Sequence, residues 1–233
     1  MVSFRTGERL ARFERWDAPD VARRAARLDP LQNVGTFHDV QTNRFSGRIL
    51  PRGIFRSRDA GVSRVALARL AKAGALERIG RGLYAPTHVK VTEHHTLVES
   101  AVRVPHGVVC LLSALRFHKL TTQSPHEVWM AIGVKARKPV TDWPPLRIVR
   151  FSGAALSFGI EKHVIENVEV HVTSREKTVA DCFKYRNKVG LDVAIEALRD
   201  YLRSRRRSVD VLMAAAAACR VKNVMRPYLE AMA

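Results

Sequence analysis

The chain has 233 residues and a formal net charge of +18 at pH 7, from 40 lysines and arginines against 22 aspartates and glutamates. Hydrophobic residues make up 46% of it, which is enough to fill a core and excludes a wholly disordered basic tail. No window approaches the roughly 18 apolar residues that span a bilayer. Three widely spaced cysteines in apolar sequence favour reduced thiols, so we expect a cytoplasmic protein, and the positive charge favours a polyanionic partner.

Composition divides the chain into three predicted segments. Residues 1–40 form a basic extension, broken by prolines and a glycine, to which we assign no role. Residues 41–87 carry the densest charge, since ten basic side chains stand against two acidic ones between Arg44 and Tyr84. Residues 88–233 mix apolar strands with amphipathic helices, which predicts an α+β domain with a small sheet and several helices.

A short basic helix is predicted over Val65–Ala73. Ser63 precedes it and suits an N-cap, because its hydroxyl can accept a free backbone N–H. Gly74 follows it, where a helix end favours a residue that tolerates positive φ. Apolar residues at i, i+3 and i+4 share one face of this helix and leave its basic side chains on the remaining surface. Those basic side chains are Arg64, Arg69 and Lys72.

A tight hairpin is predicted directly after this helix. Leu76–Ile79 and Leu83–Ala85 flank Gly80-Arg81-Gly82, which places a cation at the tip of the turn. The alternation is imperfect, so the register stays open. A basic helix followed by such a hairpin is typical of a winged helix-turn-helix, with the helix in the DNA major groove and the hairpin on a neighbouring phosphate or the minor groove. An ordinary helix and hairpin in an enzyme core is the alternative, and the density of charge argues against it.

The predicted DNA contacts follow from this arrangement. Ser63 would cap the helix and contact phosphate through the helix N-terminus. Arg64 and Arg69 would read base edges, Lys72 would bind the backbone, and the hairpin arginines would bind phosphate. The predicted DNA-binding residues are Arg56, Arg58, Ser63, Arg64, Arg69, Lys72, Arg78 and Arg81.

Further elements are predicted in residues 88–233. Apolar or alternating stretches predict a core helix over Val108–Phe117 and strands over Glu127–Ile132, Leu146–Phe151 and Val168–Val172. Ser174 caps a helix that buries Val179, Cys182 and Phe183, and another amphipathic helix spans Leu191–Leu202. A final helix is expected over Val209–Met232, ending or kinking near Pro227.

Patterns typical of catalysis, metal binding or cofactor binding were not found in the sequence. Glu93-His94-His95 lacks the i, i+4 spacing of a zinc-binding helix, and the sequence contains neither a phosphate-binding P-loop nor a GxSxG elbow. Glu166, Glu169 and Asp181 do not form a nuclease pattern. Asp181 lies between apolar helical residues, so we interpret it as a buried hydrogen-bonding or ion-paired group. We therefore predict no catalytic residue, no metal and no cofactor.

The sequence also carries a resemblance to a known family. GVSRVALARLAKAGALERIGRGLYAP (residues 61–86) resembles the N-terminal winged helix of the AbiEi family, the antitoxins of type IV toxin–antitoxin systems linked to phage abortive infection. Residues 112–132 and 172–198 resemble blocks of that family's C-terminal domain. The resemblance covers roughly residues 45–205.

The resemblance implies a repressor that binds operator repeats in its own promoter and autoregulates its operon. It also implies an antitoxin that opposes a nucleotidyltransferase-like toxin without necessarily touching it, and we expect a monomer or weak dimer. Two alternatives stay open. One is a winged-helix regulator with a ligand- or partner-sensing second domain and no toxin. The other is an enzyme that processes nucleic acid and is targeted by the winged helix.

Two basic clusters in residues 88–233 have open roles. Their first interpretation is a solvated surface, and the second is a contact for DNA, for the toxin or for the toxin's RNA target. The clusters are Lys135, Arg137 and Lys138, and Lys184, Arg186 and Lys188.

Overall fold

The computed structural model describes residues 44–45 and 48–49, and residues 50–232 apart from 142. The predicted extension over residues 1–40 therefore lies outside the described residues. The described part mixes helices with three sheets, so the predicted α+β class is confirmed. No helix among the described residues is long and apolar enough to cross a membrane.

The first elements form two small sheets and one helix. Strands β1 (Arg44–Phe45) and β2 (Arg48–Ile49) pair with each other. The next sheet is antiparallel with the order β3-β5-β4, and helix α1 connects β3 to β4. These elements are β3 (Phe55–Arg56), α1 (Arg64–Lys72), β4 (Leu76–Gly80) and β5 (Leu83–Pro86). Residues 50–87 are called the helix–hairpin unit below.

The rest of the chain is built on a five-stranded mixed sheet with the order β8-β7-β6-β10-β9, called the large sheet below. Its pairs β6–β7 and β9–β10 are antiparallel, and its pairs β7–β8 and β6–β10 are parallel. The elements are α2 (His95–Arg103), β6 (Val108–Val109), α3 (Leu111–Phe117), β7 (Val128–Gly133), β8 (Leu146–Phe151), α4 (Ala154–Ser157), β9 (Ile160–Ile165), β10 (Val168–Thr173), α5 (Arg175–Lys184), α6 (Arg186–Val189), α7 (Leu191–Arg203), α8 (Val209–Ala218) and α9 (Lys222–Glu230).

The two faces of the large sheet bury different clusters. On β7, Met130 and Ile132 point into one cluster, whereas Trp129 and Ala131 point into the other, as the two-residue period of a strand requires. Helices α5, α7, α8 and α9 cover the second face. Helix α2 covers the first face together with Ile54, Leu83 and Ala85 of the helix–hairpin unit.

A close backbone contact also joins the helix–hairpin unit to the large sheet. A Cβ atom at Gly53 would lie 2.3 Å from the carbonyl oxygen of Glu166, in the turn between β9 and β10. Only glycine allows this approach. The shared apolar cluster and this contact set the position of the helix–hairpin unit.

Two of the helix predictions need correction. The expected helix over Val108–Phe117 begins only at Leu111, because Val108 and Val109 form a central strand of the large sheet. A short apolar run does not distinguish a buried strand from a buried helix. The expected final helix breaks at Arg220, not at Pro227, which lies inside α9.

The break at Arg220 has a local geometric cause. Arg220 has φ of 60°, the amide of Val221 bonds to the carbonyl of Ala216, and the amide of Arg220 bonds to that of Ala217. This pair of bonds is a Schellman motif that ends α8. Its left-handed residue is usually glycine, so an arginine in that place gave no warning in the sequence.

Candidate nucleic-acid interface

Helix α1 begins and ends where its sequence predicts. The hydroxyl of Ser63 accepts the backbone N–H of Ala66 at 3.2 Å, which confirms the N-cap. Gly74 has φ of 75° and follows the helix, and the amide of Ala75 bonds to the carbonyl of Leu70. The helix is thus closed at both ends by local bonds, which fixes where its side chains point.

One broad face of α1 is open to solvent. Leu67 is fully buried and packs with Leu76 and Tyr84, which leaves the opposite side of the helix uncovered. The exposed positions fall at i, i+1, i+4, i+5 and i+8, which lie on a single helical face. They are Arg64, Val65, Ala68, Arg69 and Lys72. Three predicted DNA-binding cations therefore share this surface, called the α1 face below.

Val65 is the residue on the α1 face that the sequence interpretation missed. Its side chain is 62% exposed, although valine is usually buried. It lies beside Arg64 in sequence and one turn before Arg69, so the same helical spacing that selected the arginines points to it. An apolar group among arginines gives this face a way to recognise thymine methyl groups.

The hairpin presents Arg81 at its tip. Gly80 pairs with Leu83, so Arg81 and Gly82 form the turn, and Gly82 has φ of 71°. The pairing shifts between Arg78 and Gly80, which makes a bulge and explains the imperfect alternation in the sequence. Arg78 and Arg81 are both exposed.

The two arginines before α1 differ in their contacts. Arg56 is half-buried and donates from Nε to the carbonyl oxygen of Val102 at 2.5 Å, with a second bond from its guanidinium to the same oxygen. Burial, and secondarily the neighbouring Arg58, lower the pKa of Arg56. Arg58 is exposed, with its Nε 3.6 Å from Asp59. Arg56 therefore anchors the helix–hairpin unit to α2, whereas Arg58 stays on the surface.

The two basic clusters of the second segment belong to different parts of the fold. Lys135, Arg137 and Lys138 are exposed on the loop between β7 and β8, just before residues that border the hairpin tip. The second cluster lies on or beside α5 and α6, and α5 packs on the face of the large sheet that the hairpin does not cover. In that cluster Lys184 and Lys188 are exposed, and Arg186 donates to the carbonyl of Phe183 at 3.0 Å.

A groove beside the hairpin tip brings together arginines that are distant in sequence. Its volume is about 680 Å³. It is bordered by the tip of the hairpin, the start of α1, the end of α2 and residues of the loop between β7 and β8. Arg103 and Trp143 line it, and the sequence interpretation missed both, because nothing in the sequence indicates that these segments meet.

Two ionisable groups of the core are paired with each other, whereas the buried Glu99 has one carboxylate oxygen without a hydrogen-bond partner among the described residues. Asp181 and Lys177 are fully buried, and Lys177 Nζ lies 2.5 Å from both carboxylate oxygens, which confirms the prediction of an ion-paired aspartate. Cys219 donates to Asp181 Oδ1 at 3.2 Å. Burial raises the pKa of Asp181, although Lys177 opposes the shift. Cys110, Cys182 and Cys219 are buried free thiols.

Several histidines and carboxylates of the described residues are paired with other side chains. His95 Nδ1 lies 2.7 Å from the Glu166 carboxylate, and Glu169 contacts Lys162 and His171 on the surface. Within the described part of the chain, no group of three or more histidine, cysteine, aspartate or glutamate residues is placed to hold a metal ion.

One family model matches a short part of the chain. Residues 52–87 match the family of AbiEi antitoxin transcriptional regulators, so the resemblance seen in the sequence is confirmed over these residues. That family consists of regulators rather than enzymes. Among solved structures, the RV2827C protein from Mycobacterium tuberculosis is similar with 13% sequence identity and a TM-score of 0.47, over 76% of each chain. No curated protein matches the chain.

Proposed function

We propose that the chain is a sequence-specific DNA-binding repressor whose α1 and β4–β5 hairpin act as the recognition helix and wing of a winged helix-turn-helix. The observation that carries this proposal is the α1 face. It presents two arginines and a lysine on a helix without any acidic residue. Such a surface attracts DNA, because each neutralised phosphate releases condensed counterions.

Helix α1 has the dimensions and side chains for the major groove. A helix with its side chains is about 10–12 Å across, which matches the major-groove width of about 12 Å, and the nine residues of α1 extend for about 13.5 Å. Arg64 and Arg69 would read guanine edges, Val65 would pack on a thymine methyl group, and Lys72 would bind a phosphate. Ser63 would add a phosphate contact at the helix N-terminus.

The hairpin and the segment before α1 supply contacts to the DNA backbone. Arg78 and Arg81 would bind phosphate beside the groove that α1 occupies, as the wing does in this class of domain. Arg58 is free of the core and can join them. Arg56 takes a supporting role, because its guanidinium is held by the carbonyl of Val102.

The match over residues 52–87 extends the proposal to an antitoxin that regulates its own operon. In this scheme residues 41–87 bind operator repeats, and residues 88–233 oppose a nucleotidyltransferase-like toxin without a required contact. The resemblance of residues 112–132 and 172–198 to the family's C-terminal domain supports the second part. We expect the protein in the cytoplasm with the DNA, as a monomer or weak dimer.

Fluorescence anisotropy tests the repressor directly. The purified chain is titrated onto the duplex from upstream of its own gene and onto a scrambled duplex, over a series of salt concentrations. A preference for the native duplex that persists at physiological salt is the expected result. Equal binding to both duplexes, lost as salt rises, would overturn sequence-specific binding and leave only counterion release.

Growth rescue tests the antitoxin. The toxin-like gene of the same operon is expressed with or without this chain, and rescue is expected when the chain is present. A variant with Arg64 and Arg69 both changed to alanine serves as the control, because it should lose repression and keep rescue. Toxicity that persists in the presence of the wild-type chain would overturn the antitoxin role.

A further inference from the structure

The groove beside the hairpin tip has a strongly cationic lining. Five arginines contribute to it, and no aspartate or glutamate is among its described lining residues. Guanidinium groups repel one another when no anion lies between them, and the effect is stronger in a recess than on an open surface. The arginines are Arg56, Arg58, Arg64, Arg81 and Arg103.

Arg103 is the one of these five arginines with a solvent-shielded nitrogen that has no hydrogen-bond partner among the described residues. It is the last residue of α2 and is half-buried, with Nη1 shielded from solvent and without a hydrogen-bond partner among the described residues. Burial lowers its pKa, and Glu99 one turn earlier opposes the shift. Because Nη1 is shielded, an oxygen in the groove would contact the accessible part of the guanidinium, and a half-buried arginine without an ion pair among the described residues favours such an anion.

The hairpin leaves room for Arg103. A Cβ atom at Gly80 would lie 3.0 Å from Arg103 Nη2, which is tighter than an ordinary contact. A side chain at this position would therefore displace the guanidinium. The glycine before the turn thus serves the groove as well as the hairpin.

The wall contributed by the loop between β7 and β8 is apolar and exposed. Val140 is 93% exposed and Trp143 is 52% exposed, and both line the groove. Exposed aromatic and aliphatic groups next to arginines suit a ligand that carries a sugar or a base as well as a phosphate. The exposed side chains of Lys135, Arg137 and Lys138 precede this wall and extend the positive surface.

We propose that the groove holds a sugar–phosphate segment of DNA that flanks the bases read by α1. Arg103 binds one phosphate with its guanidinium fork, and Trp143 packs against the adjoining deoxyribose. The inference rests on the proposed function, since Arg64 and Arg81 line the same groove. It adds a DNA contact from residues 88–233, outside the part of the chain that matches the family.

The test compares Arg103→Met with the wild-type chain on duplexes of different length. Methionine keeps an apolar stem and removes the charge. Each duplex contains the native upstream sequence or its scramble, and is shortened from one end or the other. On the longest duplexes we expect about tenfold weaker binding, and a slope of log K against log salt that is smaller by about 0.9, the value for one phosphate. Shortening one end, and not the other, should remove the difference.

Matched variants separate this contact from general effects. Arg199→Met removes an exposed arginine on α7, and we expect it to leave the slope of log K against log salt unchanged. A reduced slope in this variant would mean that net charge alone sets the salt dependence. Trp143→Ala should weaken the same long duplexes without changing the slope. Melting temperatures are compared for all variants, and the Trp143→Ala result decides the proposal if Arg103→Met does not fold.

The Arg103 contact can be tested separately from the repressor function. A backbone contact is independent of sequence, so the Arg103→Met effect should appear on scrambled duplexes even if the chain shows no preference for its own upstream DNA. On the native duplex, where sequence-specific binding fixes the register, equal losses at every length would overturn the proposal. On either duplex, a salt slope equal to that of the wild type would also overturn it, and both outcomes would leave the α1 contacts untouched.

Discussion

The α1 face and the core beneath α5 use basic side chains in opposite ways. Arg64, Arg69 and Lys72 are exposed on a helix without acidic residues. Lys177 is fully buried and bonds to both carboxylate oxygens of Asp181. A cation in water retains its charge at little cost, whereas a buried cation has to be neutralised by a partner. Net charge by itself therefore does not locate a binding surface, because part of the charge is neutralised inside the core.

The largest expected effect is on the buried pair. Asp181→Ala leaves the Lys177 charge uncompensated in the core, so we expect the free energy of unfolding to fall by about 3–5 kcal/mol. Urea denaturation measures it. DNA affinity of the folded protein should not change, because the pair lies away from the α1 face. Asp192→Ala, at an exposed position of α7, is the control and should have little effect.

A double variant tests whether the lost stability comes from the unpaired charge of Lys177. Lys177→Met combined with Asp181→Leu replaces both charges with apolar groups, and most of the lost stability should return. If Asp181→Ala left the stability intact and abolished DNA binding, the pair would belong to the binding surface and not to the core.

The next effect concerns base recognition by the α1 face. Arg64→Ala and Arg69→Ala should each weaken operator binding by about 1–3 kcal/mol and relax specificity at one base pair. Arg81→Ala should weaken binding to all sequences alike, because a phosphate contact carries no sequence information. Anisotropy on operators with single base-pair changes measures both effects. Uniform losses from all three substitutions would contradict the assignment of base contacts.

Glu166 stands between the exposed cations of the α1 face and the buried Lys177–Asp181 pair. Its carboxylate lies in the turn between β9 and β10 and accepts hydrogen bonds from the segment before α2. Burial pushes its pKa up, but hydrogen bonds from the backbone and hydroxyl of Thr92 and from His95 outweigh this, and the net pKa is lowered. The pKa of Glu166 is lower in the folded protein than in the unfolded chain, so its ionised form stabilises the fold. This stabilisation is complete above pH 4.5, the ordinary glutamate pKa, and is lost as the pH falls through the lowered value.

Glu166→Gln should therefore destabilise the protein by about 1.5 kcal/mol at neutral pH, the usual contribution of hydrogen bonds to a charged group. Denaturation curves across pH measure the difference from the wild type, which should close below pH 4.5. Glu230→Gln, at an exposed position of α9, is the matched control. A difference that stayed constant with pH would show that packing, and not the carboxylate, is responsible.

The smallest expected effect concerns Val65. Val65→Ser should reduce operator affinity by about 0.8 kcal/mol, the value for one buried methylene-sized group. Replacing thymine by deoxyuridine in the operator removes the methyl group from the DNA side. The wild type should lose affinity on the uracil duplex, and Val65→Ser should bind both duplexes equally. Val91→Ser alters a valine of similar exposure outside α1 and should leave this difference between the two duplexes unchanged.

The sequence by itself predicted the helix caps, the end of α1 and the hairpin turn. The cap at Ser63, the helix end at Gly74, the turn at Arg81 and the cap at Ser174 all act through bonds between residues a few positions apart. These features depend on the residues beside them, so their pattern alone was sufficient.

Only the tertiary structure decided which distant groups meet. The run from Val108 became a strand because the large sheet offered it partners on both sides, and an apolar run by itself is compatible with either state. Arg56 was drawn from the surface to the carbonyl of Val102, and Arg103 was placed beside the hairpin tip. Contacts of this kind depend on how separate segments pack, and periodicity within a segment carries no information about them.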